Sequence, residues 1–310
     1  MTHDSATGYL NASLDFFTKM AKTQVGGFAK QLGCGARAFD LRPECHPNRQ
    51  GDLKLTMHHA EMEIKYPLKT ALQDIISWAN ANPSELILVG LSHYSPNNTD
   101  CREAVWQLTE ELGLMKSIGS GSCPSCGAVT DMSVGEAKKA SAIDGGGHVF
   151  VIEADDNACV AENYVPAITC YNESSFAGNK PDDFGVCYPS DAKGGYSEYA
   201  NKQLFDYIQK MAASTAERNN SKLQMNQAHW QYSIPLYTGV DAKHSSIIMD
   251  EYFSEVNKRV VDLVGDMEFL NLLEVDNVCN YGPQLQDAVN SRIGRLTSTA
   301  AEEDHRALRH

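Results

Sequence analysis

Nowhere in the 310 residues is there an apolar run long enough to cross a membrane. The longest runs, such as Leu86 to Leu91 and His148 to Ile152, fall far short of the roughly 20 residues a spanning helix requires. Positive charge is scarce as well: 26 Lys and Arg stand against 40 Asp and Glu, a net charge of −14. That deficit argues against nucleic acid as a partner, since neutralising phosphates needs a basic face. It also argues against long-range attraction to anionic lipid. Met1 is followed by the polar Thr2-His3-Asp4-Ser5, which has no secretory h-region. There is no internal repeat and no long low-complexity stretch. The pair Cys123-Pro124-Ser125-Cys126 has no second C-x₂-C, so a structural zinc would lack two of its four ligands, and disulfide formation is the expectation. Gly145-Gly146-Gly147 precedes a strand instead of following one, so it is no dinucleotide fingerprint. Ser5 has no G-x-S-x-G context, which argues against a serine hydrolase.

What is present is an ordinary globular composition, 42% hydrophobic and 21% charged, in a length that holds one large domain. There are nine cysteines, several in Gly/Pro/Asn-rich surroundings, and sequons at Asn11, Asn97, Asn172 and Asn219. Together they favour an extracellular or secretory location over the cytoplasm, which stays open. The odd cysteine count leaves one thiol unpaired or paired between chains.

Short β-prone runs alternate with helical patterns. Strands are expected at Ala36–Leu41, Leu53–His58, Leu86–Leu91, Val149–Ala154, Leu223–Ala228 and Phe269–Val275. Helices are expected at Tyr9–Lys22, Pro67–Ala81, Arg102–Leu112, Ser197–Ala213, Ile247–Val264 and Pro283–Leu296. Leu68, Ala71, Leu72, Ile75, Ile76 and Ala79 make the stripe of a helix packed on a sheet. Asn82-Pro83 ends it, and Leu86-Ile87-Leu88-Val89 reads as a buried parallel strand. The alternation predicts βα units around a parallel sheet. Residues 1–296 form the expected domain and Thr297–His310 a polar tail. The loop from Asp156 to Gly195 carries Tyr164, Val165, Tyr171 and Phe176, which suit interfacial contact and packing equally.

Three constellations carry chemistry: His3-Asp4-Ser5, then Phe39-Asp40-Leu41-Arg42 at a strand end, then His58-His59 at the next. Polar groups at the C-terminal ends of barrel strands converge on one rim. Two imidazoles across a phosphate can act as base and acid, with an arginine binding the phosphate oxygens. Taken singly, a strand histidine is more often structural, and Arg37 to Arg42 also fits a salt-bridged strand end.

Taken in order, the residues resemble a known family. His3-Asp4-Ser5-Ala6-Thr7, Gln31-Leu32 followed by Gly35-Ala36-Arg37 and Phe39-Asp40-Leu41-Arg42, His58-His59, and Ser84-Glu85-Leu86-Ile87-Leu88-Val89 resemble the X domain of phosphatidylinositol-specific phospholipases C. The resemblance is strongest over residues 1–92. It implies a distorted, incompletely closed TIM-type (β/α)8 barrel as a single domain, with part of the first strand missing. It implies His3 as the general base for the inositol 2-hydroxyl, His59 as the acid for the diacylglycerol oxygen, Arg42 on the phosphate, and Asp4 beside the acid histidine. Asp276 is the candidate to orient the base, with Glu274 as its rival. The implied product is a cyclic inositol phosphate. No cofactor is implied and no metal, because Arg42 stands where calcium-dependent members carry an acidic residue. The implied partner is a phospholipid head group at a membrane surface. Trp230, His229 and Glu153 are the candidate head-group residues. Glu153 stands where relatives carry arginine, Ala228 where they carry aspartate, and Ser92-His93 where they carry lysine. A strand usually precedes the base histidine, so a truncated start is expected; only if the protein begins at Met1 is His3 expected on a loosely held terminus, where a 1 Å misplacement costs about 100-fold in rate. Two other functions stay open: a catalytically impaired protein that binds an inositol phosphate or a partner, and a phosphodiesterase for another head group.

Overall fold

The structure, a computed structural model, describes residues 1–11, 18, 21–47, 51, 53–114, 132–154, 160–163, 205, 208–209, 223–229, 247–267 and 271–292. Nine strands occur among them: β1 (Ala38–Leu41), β2 (Pro43–Pro47), β3 (Leu53–His59), β4 (Met62–Ile64), β5 (Ile87–Leu91), β6 (Val149–Glu153), β7 (Val160–Asn163), β8 (Leu223–Gln227) and β9 (Leu272–Glu274). The helices are α1 (Phe28–Gly33), α2 (Leu68–Ala81), α3 (Thr99–Glu111), α4 (Val134–Ala140), α5 (Ile247–Ser254), α6 (Val256–Leu263) and α7 (282–292).

The strands form three small sheets: parallel β1-β5-β6, antiparallel β2-β3-β4, and parallel β7-β8-β9. The fold is thus mixed α/β. Among the described residues the sheets do not close into a barrel; the small sheets bear out the mixed α/β class, and the distorted (β/α)8 ring is not complete among them. The N-terminal residues join the two parallel sheets. Thr2 makes parallel bridges to Phe39 and to Val275. Its N–H donates to the Ala38 carbonyl at 3.0 Å, its carbonyl accepts from the Asp40 N–H at 3.2 Å, and the His3 N–H donates to the Val275 carbonyl at 3.1 Å. His3 is therefore held from both sides and is 6% exposed, not on a loosely held terminus.

The core explains why the apolar runs became strands and helices. Phe39 and Leu41 on β1, Ile87 and Leu91 on β5, and Ile152 on β6 are fully buried. Leu68, Ala71, Leu72, Ile75 and Ala79 of α2 are buried as the stripe requires, while Ile76 is only partly so. Alternation along β1 turns Phe39 and Leu41 into the core and leaves Asp40 and Arg42 to share the opposite face. Of the expected helix Tyr9–Lys22, Tyr9 instead ends a 3₁₀ turn over Ser5–Tyr9 and Leu10 is extended, Thr18 and Ala21 are helical, and 12–17 and 19–20 lie outside the described residues. The expected helix Ile247–Val264 is split at Glu255, whose φ is +52°. The expected helix Ser197–Ala213 lies almost wholly outside the described residues, as do the loop 156–195 residues Tyr164, Val165, Tyr171 and Phe176, and the boundary at 296/297.

Among the described residues two disulfides are formed, Cys34–Cys279 and Cys45–Cys101, as suits an oxidising compartment. Cys123, Cys126, Cys159, Cys170 and Cys187 lie outside the described residues. Cys34–Cys279 closes a loop with a sequence separation of 245. Beside it, a Cβ on Gly282 would lie 2.0 Å from the Cys34 carbonyl oxygen, so only glycine allows the two chain segments to approach so closely. Replacing both Cys34 and Cys279 by alanine should lower unfolding free energy by about 2–5 kcal/mol, measured by urea denaturation against the parent. No helix among the described residues is long and apolar enough to cross a membrane.

Candidate active site

The parallel strands deliver their polar residues to one end. Asp40 and Arg42 lie at the end of β1, Ser92 follows β5, His229 follows β8, and Asp276 follows β9. His3 and Asp4 follow the Thr2 bridge. His59 comes from the antiparallel sheet, one residue before the β3–β4 turn, where Ala60 has a φ of +48°.

At the centre lies the Asp4 carboxylate, whose side chain is 1% exposed. Its Oδ2 meets His3 Nε2 at 3.2 Å and His59 Nε2 at 2.9 Å, and its Oδ1 meets an Arg42 terminal nitrogen at 2.7 Å. Asp4 itself sits in the left-handed region, φ +43°, which directs its carboxylate between the two imidazoles. Asp40 holds Arg42 from the other side: its Oδ2 accepts from Arg42 Nε at 3.1 Å and lies 2.9 Å from a terminal nitrogen. The same carboxylate accepts the Asp4 N–H at 3.1 Å and the Ser92 hydroxyl at 3.1 Å. His3 Nδ1 bonds Asp276 Oδ1 at 2.9 Å. Of the two expected carboxylates, Asp276 is thus the one bonded to His3. Glu274 instead faces His229 Nε2 at 3.4 Å and accepts from Gln227 at 3.0 Å. The His229 ring stacks on His3, 4.0 Å between centroids and 13° between planes.

His3, Asp4, Arg42, His59 and Asp276 are therefore brought together, and His229 joins them. Glu153 is held elsewhere, by Arg102 at 3.0 Å, the Tyr94 hydroxyl at 3.0 Å and Trp106 Nε1 at 3.2 Å. Trp230 lies outside the described residues. Sequence reasoning quoted Asp40 without assigning it a task. The signal was present, because Asp-x-Arg on a strand puts both side chains on one face.

Four carboxylates (Asp4, Asp40, Glu274, Asp276) surround one guanidinium and three imidazoles, so the charge balance depends on protons. Burial alone would lower the His3 pKa, but Asp4, Asp276 and Glu274 outweigh it and hold it at about 10. Burial opposes ionisation of Asp4 too, yet Arg42, His3 and His59 keep it well below the usual carboxylate range. Against burial, His229, His3 and Arg42 bring Glu274 down to about 2. For Asp276 burial wins, and its pKa rises despite His229 and His3. Both partners of the His3–Asp276 bond thus gain proton affinity. His229 is also raised: burial and the His3 charge oppose, and Asp276 and Glu274 prevail.

A folded-state pKa of about 10 for His3 against about 6.5 in an unfolded chain fixes the sign of its linkage. Its stabilising contribution is complete below about pH 6.5 and is lost as the pH rises through about 10. Calorimetric melting temperatures should fall across that interval, and the fall should be shallower in His3→Ala.

Among the described residues, two sets of three ligand-type atoms lie within 4.8 Å of one another, in His3, His229 and Asp276 and in His3, Asp4 and Asp40. In the second set both carboxylates are already bonded to the Arg42 guanidinium.

A phosphatidylinositol-specific phospholipase C from Listeria monocytogenes superposes with a TM-score of 0.53 at 13% identity, covering 93% of this chain and 90% of that one. The chain shares the fold of bacterial phosphatidylinositol-specific phospholipase C. A mutant of the Staphylococcus aureus phospholipase C gives a TM-score of 0.55 at 14% identity, with 93% and 90% covered. A further Staphylococcus aureus structure, concerned with modulation of membrane binding, gives 0.54 at 13% identity over 93% and 90%. No protein-family model matches the chain, and neither does any curated protein. The phospholipase C likeness is therefore one of fold, and the chemistry must be argued from the site.

Proposed function

We propose that this chain is a phosphodiesterase that cleaves phosphatidylinositol-type lipids by intramolecular transphosphorylation. The carrying observation is the convergence of His3 Nε2, His59 Nε2 and an Arg42 nitrogen on one buried carboxylate, at 3.2, 2.9 and 2.7 Å. These are the donors a phosphodiester would recruit. In the proposed reaction His3 must first give up the proton it holds up to about pH 10; its neutral Nε2 then takes the proton of the inositol 2-hydroxyl as that oxygen bonds to phosphorus. The bond from phosphorus to the diacylglycerol oxygen breaks, and His59 supplies the proton that oxygen needs. With its side chain 23% exposed against 8% for His3, His59 is the more open of the two, which suits it to a leaving group on the lipid side. Arg42 stabilises charge on the phosphoryl oxygens. Asp276 orients His3, and Asp4 positions His59 and Arg42. His229 and Trp230 are the proposed head-group residues, Glu153 being engaged by Arg102, Tyr94 and Trp106, and the whole chain is proposed to complete a distorted TIM-type (β/α)8 barrel. The Staphylococcus aureus protein binds membranes, and we propose a membrane surface as the place of encounter here too.

The test is incubation with phosphatidylinositol vesicles in EDTA, with glycerophosphodiesters in parallel. A cyclic inositol phosphate from the inositol lipid alone is expected. A folded chain that yields no cyclic product overturns the reading, and cleavage of glycerophosphodiesters alone moves it to another head group. Two observations favour a second reading, a binding protein without turnover: Glu153 is neutralised by Arg102, and Asp4 already engages all three donors. Calorimetric binding of an inositol phosphate without product from the lipid would support it.

A further inference from the structure

We propose that His3, His229 and Asp276 form a binding site for a divalent transition-metal ion of the zinc class, and that the ion inhibits the enzyme by occupying its general base. Both imidazoles present Nδ1 to the same carboxylate. His3 Nδ1 lies 2.9 Å from Asp276 Oδ1, and His229 Nδ1 lies 3.9 Å from Asp276 Oδ2. One ligand atom from each of His3, His229 and Asp276 lies within 4.8 Å of the others, so modest side-chain shifts bring the three to the edges of a tetrahedron around zinc, about 3.3 Å for bonds of about 2.0–2.1 Å. The ring stack at 4.0 Å keeps the two nitrogens side by side. Each imidazole has a carboxylate at its other nitrogen, Asp4 at His3 Nε2 (3.2 Å) and Glu274 at His229 Nε2 (3.4 Å). That is the outer-shell arrangement that orients zinc-binding histidines and raises their basicity. The third ligand is available: Asp276 is fully buried, and its Oδ2 accepts no hydrogen bond from the described residues. Charge points the same way. Four carboxylates and one guanidinium leave the cluster short of positive charge, and a divalent ion supplies it in place of imidazole protons. Imidazole and carboxylate donors suit zinc or cobalt better than calcium, which seeks six to eight oxygens.

Binding of the ion stands apart from the proposed reaction; inhibition rests on that reading. The experiment titrates the full chain, stripped with EDTA and freed of it, with Co²⁺ and then Zn²⁺. One equivalent of Co²⁺ with the visible absorption of a nitrogen- and oxygen-ligated ion of low coordination number is expected, displaced by Zn²⁺. His229→Phe keeps a ring against His3 and should remove that spectrum. Glu274→Gln should weaken binding by about 10–100-fold. No such absorption, an undiminished spectrum in His229→Phe, or a thiolate-to-cobalt band alone would overturn the site. Zn²⁺ should abolish cleavage of phosphatidylinositol, and EDTA should restore it. Full activity with Zn²⁺ bound overturns the inhibition. Cobalt binding in a chain that cleaves nothing even in EDTA retains the site and rejects the phosphodiesterase reading.

Discussion

Alanine at His3 or at His59 is expected to slow cleavage of phosphatidylinositol by about 10²–10⁴-fold each, the usual reach of a positioned acid or base. The two losses should not multiply in the double variant, because Asp4 touches both rings and the groups act as a unit. The substitutions separate on the leaving group. An aryl inositol phosphate diester expels a stable phenolate and needs little protonation, so His59→Ala should recover most of its rate on that substrate. His3→Ala should not, since the 2-hydroxyl must still lose its proton. Steady-state kinetics on the two substrates reads this directly, and equal losses on both would contradict the assigned roles. His3→Ala also leaves Asp276 and Asp4 without a buried donor, so folding should be verified by near-ultraviolet circular dichroism before rates are compared.

Removal of Arg42 should carry the second large effect. Its guanidinium lies between two buried carboxylates, 2.7 Å from Asp4 and 2.9 Å from Asp40. Arg42→Ala leaves both without their cation, and breaking a buried pair in this way costs about 3–5 kcal/mol. Activity should fall by about 10²–10³-fold as the phosphoryl charge loses its partner. Arg42→Lys keeps a charge but not the planar fork that spans Asp40 with Nε and a terminal nitrogen. It should therefore regain more stability than rate. Adding Asp4→Asn to Arg42→Ala removes one stranded carboxylate and should return part of the lost stability. Urea denaturation of the four proteins forms the double-mutant cycle that checks this.

Much of the fold was legible where local pattern and burial agree. The run Leu86 to Leu91 and the stripe on Leu68–Ala81 became β5 and α2 because each buries a continuous apolar surface, with Ile87, Leu91, Leu72 and Ile75 fully enclosed. The elements missed are those whose existence depends on a distant partner. β2 begins and ends on proline and exists because it pairs with β3, Pro43 opposite Met57 and Pro47 opposite Leu53. β4 has three residues and follows β3 through a tight turn. The Thr2 bridges have no local signature either, since one residue pairs with Phe39 and Val275, 37 and 273 positions away.

By itself the sequence determined which reactive groups the site contains and in what order the chain supplies them: His3 and Asp4, then Asp40 and Arg42, then His59, with carboxylates on a last strand. Only the tertiary structure decided how they pair. Asp276 rather than Glu274 takes His3, Glu274 takes His229, and Asp40 anchors the guanidinium. The physical reason is range. Strand and helix patterns arise from neighbours a few residues apart. The His3–Asp276 bond spans 273 positions and is set by strand register, by the bridges at Thr2, and by the cost of burying a carboxylate without a partner.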